Sequence, residues 1–260
     1  PHLGQLFVAS RMVEIMSDSN ILQHHTECNR VQDPYSFRCI PQVHGPVQES
    51  FQKLIETVSI ELNSSTDNPL IFPTPDNPGP HEVVSQGNFH AEVLALVADA
   101  MSLGLFELSS ISERRIDQML DPDRRALRPF LAQNPCLESG LMIVQYVAAA
   151  SLGELRGHAN PRTAFSTTTS AGQEDHVSMG ATASWNLLEA IQRCREVIAC
   201  EAFVAHRAIQ LIEKPSSTCI ESLIRCMNNV VLPGFEDRNT SEEIQTIAAE
   251  FTSSSWLSVI

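Results

Sequence analysis

Three short stretches of the chain gather side chains that can move protons or grip a carboxylate. In Val31-Gln32-Asp33-Pro34-Tyr35-Ser36-Phe37-Arg38 an amide, a phenol and a guanidinium sit together in an irregular, proline-bounded segment. A tyrosine serves as acid or base when its pKa is lowered, and an arginine forks onto a carboxylate with two parallel hydrogen bonds. The plainer reading is a polar loop packed between helices, since most polar loop residues are not catalytic. The second stretch is Ser170-Ala171-Gly172-Gln173-Glu174-Asp175-His176-Val177-Ser178-Met179-Gly180, which opens a very long helical pattern. Ser170 and Gln173 have the spacing of a capping box, and carboxylates gain from the helix dipole there. A well-capped helix start therefore explains the stretch without chemistry. The third, Gly87-Asn88-Phe89-His90, reads as a turn and cap with Phe89 as a hydrophobic staple.

Other charged groups look structural. Glu113-Arg114-Arg115 and Asp121-Pro122-Asp123-Arg124-Arg125 have the look of solvated or intersubunit ion pairs. His24, His25 and Cys28 are possible metal ligands, but a polar turn without a matching second half is more often incidental, and no metal is expected. The sequence holds no glycine-rich phosphate loop, nucleophile elbow or His-Glu-x-x-His motif.

The elements that must position these groups are mostly helices. Apolar residues recur with helical spacing over residues 6–18, 42–62, 90–120, 141–157 and 176–212, with shorter closing helices over 217–231 and 240–257. Asn88 stands ready to cap the 90–120 helix, and Asp121-Pro122 stops it. Residues 141–157 are small and apolar on most faces, which suits a buried helix. Residues 63–88 are rich in Asn, Ser, Pro and Gly and form an excursion, with a short strand pair near Leu70-Ile71-Phe72 and Glu82-Val83-Val84. Long helices without heptad regularity bury one another in a bundle. The expected fold is all-α: an elongated bundle of long helices with one Pro-rich excursion, in a single helical domain over 1–260 that closes with the helices of 213–260.

Composition narrows the function classes. The 260 residues are 43% hydrophobic and 18% charged, an ordinary globular balance. A net charge of −14 with no basic stripe argues against nucleic acid. Seven cysteines, odd in number and without a Cys-x-x-Cys pair, point away from a disulfide framework and towards a reducing cytoplasm. No uninterrupted apolar run is long enough to suggest a membrane span.

Taken in order, several strings resemble the aromatic amino-acid ammonia-lyase family, and within it the histidine type. They are Val31-Gln32-Asp33-Pro34-Tyr35-Ser36-Phe37-Arg38-Cys39 with Pro41-Gln42-Val43-His44-Gly45; Glu61-Leu62-Asn63-Ser64-Ser65-Thr66-Asp67-Asn68-Pro69; Gly87-Asn88-Phe89-His90; Ile111-Ser112-Glu113-Arg114-Arg115; Ser139-Gly140; and Gln173-Glu174-Asp175-His176-Val177-Ser178-Met179-Gly180. The resemblance implies a homotetramer that eliminates ammonia from an aromatic amino acid. Its sites are assembled from several subunits around a methylideneimidazolone electrophile formed from an internal Ala-Ser-Gly. It also implies roles. Tyr35 is catalytic beside the substrate amine, and Arg38 clamps the carboxylate. Gln32 positions the prosthetic group and Phe89 packs beside it, while Glu174 meets the substrate ring or transfers a proton. Gln-Glu-Asp is the histidine-type string, where phenylalanine-type members carry Asn-Gln-Asp. A carboxylate can accept an imidazole N–H, and a phenyl ring offers no such donor. Histidine, giving urocanate, is the expected substrate.

The departures carry expectations of their own. No Ala-Ser-Gly occurs in the 260 residues; the resemblance places it, with a second tyrosine on a mobile loop, upstream of Pro1. This chain is therefore expected to act with the N-terminal part of the same enzyme and not alone. Ala91 stands where the family has Gly, Leu155 and Asn160 where histidine-type members have Asn and His, and Phe165 where they have Asp. Two alternatives stay open: an aminomutase on the same scaffold, and a catalytically inactive, lyase-like interaction subunit.

Overall fold

A computed structural model describes residues 1–25, 31–73, 82–125, 127–212, 214–253 and 256. Among them the chain forms α1 (Leu3–Met16), α2 (Asn20–His25), α3 (Tyr35–Arg38) and α4 (Ile40–Glu61), followed by strands β1 (Leu70–Phe72) and β2 (Glu82–Val84). Helices α5 (Glu92–Leu120), α6 (Pro122–Arg125), α7 (Met142–His158), α8 (Gly180–Gln210), α9 (Thr218–Asn228) and α10 (Ser241–Glu250) complete it. The expected all-α bundle is what the chain adopts. β1 and β2 pair antiparallel with Leu70 opposite Val84, where the short strand pair was predicted.

Two helices organise the rest. α5 has 29 residues and α8 has 31, each about 45 Å long at 1.5 Å per residue. On α8 the buried Ala183, Leu187, Ala190, Cys194 and Val197 recur every three or four positions and make one apolar stripe. Small residues Ala95 and Ala98 on α5 let that stripe come close at one end. Towards the other end Ile116, Leu120, Val144, Val197, Phe203 and Ile247 join α5, α7, α8 and α10 in the main core. α5 is long and apolar enough, by length and composition, to cross a membrane. It nevertheless buries Asp99, Glu113 and Arg115 and packs against α4, α7 and α8, which makes it the core helix of the bundle.

α4 runs beside α5 and begins with Pro41 in its first turn, where a missing N–H costs nothing. α1 crosses α4 at Gly4 and Gly45, whose backbones approach so closely that a Cβ on either would overlap the other helix. The Gly4 N–H donates to Glu49 at 2.7 Å across that crossing. α9 starts from the fully buried Ser217, whose hydroxyl accepts the Ile220 N–H.

Three expectations need correction. Asn88 does not cap α5; the N-cap is Ala91, without a side-chain bond, and the Asn88 amide donates instead to Ser65 O at 2.8 Å. Ser170 does not cap α8 either. Residues Ser170–Gly172 form a separate 3-10 turn, and α8 starts only at Gly180, behind a left-handed Met179. Finally, α7 is not buried all round, since Ile143, Tyr146 and Val147 face outward from the chain.

Candidate active site

Tyr35 and Arg38 sit one turn apart on α3. The arginine carbon Cζ lies 4.9 Å from the tyrosine ring centre, a cation–π contact. α3 is a single turn after Pro34, whose carbonyl accepts the Phe37 and Arg38 N–H groups, both at 3.0 Å. Tyr35 is 71% exposed, and Gln32 and Arg38 are exposed too. The tyrosine and guanidinium thus form one outward-facing pair, with the exposed Gln32 just ahead of them in the chain. Behind them Ser36 is buried.

Phe89 and Glu174 form a second group. The excursion is tied down by side chains: Asn68 Oδ1 accepts the Gln86 N–H at 3.0 Å, and Asn88 holds Ser65. These bonds fix Phe89 against the end of α4, where it lines a cavity of about 260 Å³ with Val58, Glu61 and Thr66. The Glu174 strand folds back as an isolated bridge, with Thr169 N–H donating to Glu174 O at 2.9 Å. The Thr169 hydroxyl also donates to the Glu174 carboxylate, and this bond, with a second from Ser170, holds the carboxyl below its ordinary pKa. Glu174 is therefore an ionised acceptor at neutral pH. His90 Nε2 bonds His176 O at 3.2 Å and the two rings lie 5.7 Å apart, so the Phe89 and Glu174 strings are packed together. Ala91 seats Gly180 here: a Cβ on that glycine would come within 2.9 Å of the alanine methyl.

The two groups lie at opposite ends of the bundle. Ser36 meets Arg115 near the end of α5, while Phe89 and His176 sit just before its start at Glu92. The 22 residues of α4 and the 23 steps from Glu92 to Arg115 both give a separation of about 30–35 Å. Within one chain the structure does not bring Tyr35, Arg38 and Gln32 to Phe89 and Glu174.

Arg124 makes exposed ion pairs to Asp117 and Asp121 at 2.7 and 2.8 Å, as expected. Glu113 and Arg115, expected in solvated or intersubunit ion pairs, are instead buried, and Arg115 pairs with Glu201 of the same chain. Leu155 is fully buried against Ala190 and Cys194, whereas Phe165 is 62% exposed. The Ser139 and Gly140 N–H groups donate to the Asp237 carboxylate at 2.7 and 2.8 Å, which gives the Ser139-Gly140 string a structural use. His24 and His25 belong to α2, but their side chains, and Cys28, lie outside the described residues. Among the described residues His90, Glu92 and His176 offer donor atoms within 4.8 Å of one another, a grouping not anticipated from sequence. His44 was also missed as a separate feature: its Nε2 is buried with no hydrogen-bond partner among the described residues. A cavity of about 750 Å³ lies between α7, α8 and α10 and touches none of the predicted site residues.

An all-helical bundle that displays a Tyr–Arg pair at one end and an aromatic–carboxylate pair at the other has the scaffold of the helical ammonia-lyases and aminomutases. It superposes on the crystal structure of histidine ammonia-lyase from Trypanosoma cruzi with a TM-score of 0.88 and 35% identity, covering 100% of this chain and 48% of that one. The Pantoea agglomerans phenylalanine aminomutase gives 0.87 and 30% identity, covering 98% of this chain and 53% of that one. Residues 1–229 match the aromatic amino acid lyase family, and the chain belongs to it. A probable histidine ammonia-lyase from Halobacterium salinarum is 46% identical over 210 residues, covering 77% of this chain and 40% of that protein. The chain thus spans about half the length of the relatives it matches.

Proposed function

We propose that this chain supplies the substrate-binding and proton-transfer groups of an ammonia-lyase that converts L-histidine to urocanate. The observation that carries the reading is Glu174: an ionised, exposed carboxylate, held by Thr169 and packed through His176 onto the Phe89 string. Such a group accepts the N–H of an imidazole, a contact that a phenyl ring cannot offer. Histidine-type relatives support the same substrate.

The remaining roles follow from side-chain chemistry. The exposed Arg38 guanidinium forks onto the substrate carboxylate. Tyr35, next to a fixed cation, exchanges a proton with the substrate amine or β-carbon. No Ala-Ser-Gly occurs in the 260 residues, so a methylideneimidazolone would come from a part of the enzyme outside them. That group would supply the electrophilic carbon. Gln32, Tyr35 and Phe89 are the groups here that fit beside it, because all three present polar or aromatic surface outward rather than into their own core.

The distance between the two groups makes a site within one chain untenable, so the reading places each site between copies, in a homotetramer. The outward apolar residues Ile143, Val147, Leu188 and Ile191 on α7 and α8 support such an assembly. A cytoplasmic setting fits thiols such as Cys39, Cys136, Cys194 and Cys200, which form no disulfide among the described residues.

The test is Glu174→Gln in the full-length protein. Histidine turnover should fall by at least roughly tenfold, as expected when a charged hydrogen bond to substrate becomes neutral. Unchanged turnover would remove Glu174 from the site. The likeness to an aminomutase keeps one alternative in view: β-histidine among the products, in place of urocanate, would move the reaction to amine migration.

A further inference from the structure

Arg115 sits on α5 with its side chain 9% exposed, surrounded by the bundle. Its guanidinium has two forked edges and uses both. Nε and Nη2 grip the Glu201 carboxylate of α8, the second at 2.8 Å. Nη1 reaches away from that pair and donates to Ser36 O at 3.3 Å. Glu201 is itself held by the Ser112 hydroxyl, from the turn of α5 before Arg115. His44 of α4 packs into the same place. Its imidazole stays neutral because it is buried and because the Arg115 charge is close. The charge on Arg115 is thus balanced by one carboxylate, and the side chain cannot swing without leaving that carboxylate unpaired in the interior.

Ser36 stands between Tyr35 and Arg38. α3 is only four residues long, too short to hold its shape without outside contacts. Its carbonyl at position 36 is a point where the core grips it. We propose that Arg115 is a positioning residue: locked by Glu201, it holds the Ser36 carbonyl and thereby fixes the direction in which Tyr35 and Arg38 face. The inference rests on the proposed function only for what that fixed pair then binds.

Hydrogen–deuterium exchange in the full-length protein tests it without relying on activity. The amides of Phe37, Arg38 and Cys39 are bonded to Pro34 and Tyr35 carbonyls inside the turn. In Arg115→Gln they should exchange roughly tenfold faster or more, because a charged anchor has been lost. The Ala183 amide, at the far end of α8, should be unchanged. Arg115→Lys keeps the charge but cannot serve both partners, so it should fall between. Lys53→Gln, at an exposed cation on α4, should match the parent. Should Arg115→Gln not fold, Glu201→Gln frees the same guanidinium and should show the same local loosening. The proposal is overturned if the turn's amides do not speed up, or if exchange rises equally at both ends of the bundle. A second measurement separates the two readings. If the turn loosens and the KM for histidine rises more than kcat falls, both stand. If it loosens while histidine kinetics are untouched, the positioning role stands and the placement of Tyr35 and Arg38 in a histidine site fails.

Discussion

Tyr35 and Glu174 occupy opposite ends of the same helix bundle, separated by about 30–35 Å of α4 and α5. If they serve one reaction, they serve it from different copies of the chain. Mixing then has a calculable result. Tyr35→Phe and Glu174→Gln proteins should each be nearly inactive alone. Co-expressed in equal amounts, they should recover about one quarter of the parent activity, because that share of sites draws both intact residues from a random mixture of copies. No recovery in mixed oligomers would place both residues in one copy's site, against the geometry of the chain.

Arg38 is exposed in the chain and stacked on Tyr35. Replacing it by Ala should raise KM for histidine far more than it lowers kcat, through loss of a charged contact on the order of 2–5 kcal/mol. Lysine should restore part of the affinity, as a point charge without the fork. Steady-state kinetics decide; a KM within about twofold of the parent would remove the carboxylate clamp.

His44 gives the fold an acid limit. Burial, and then the neighbouring Arg115 charge, hold its pKa down to about 4 against an ordinary 6.5. The unfolded chain therefore binds a proton that the folded chain refuses between these values. Stability is full above pH 6.5 and falls as the pH drops towards 4, by on the order of 3 kcal/mol at most. His206, lowered by burial, adds in the same direction. Urea unfolding across this range should show the loss, and His44→Gln should flatten part of it. An unchanged acid limb in that variant would exclude His44 as a source.

Leu155 and Phe165, both expected from the sequence to be departures from the histidine-type pattern, carry different structural costs. Leu155 has 0% exposure, so Leu155→Asn removes apolar packing and buries an amide, costing about 2–4 kcal/mol. Phe165 is 62% exposed, and Phe165→Asp should change stability by no more than about 0.5 kcal/mol. Chemical denaturation of the two variants compares them directly; equal effects would contradict the burial difference.

Much of the scaffold was legible from the amino acids because α4, α5, α7 and α8 are long and periodic, and the β1–β2 pair sits between turn-forming residues. Capping was not. Asn88 and Ser170 are good caps by type, but each lies too far ahead of its helix and is used in the loop that positions Phe89 or Glu174. Arg115 was misread for a related reason. The spacing of Glu113-Arg114-Arg115 does not say which face of α5 meets α8, and its partner Glu201 lies 86 positions away. The division of the site into two ends was likewise hidden, since spacing along the chain carries no information on which helix ends meet.

Incubating the full-length protein with L-histidine and, separately, with L-phenylalanine, and following product by ultraviolet absorbance and chromatography, decides whether the site is directed at histidine. Urocanate from histidine, with little or no cinnamate from phenylalanine, is the predicted result. Cinnamate without urocanate, or no product from either, would contradict a histidine-directed ammonia-lyase site built on Tyr35, Arg38 and Glu174.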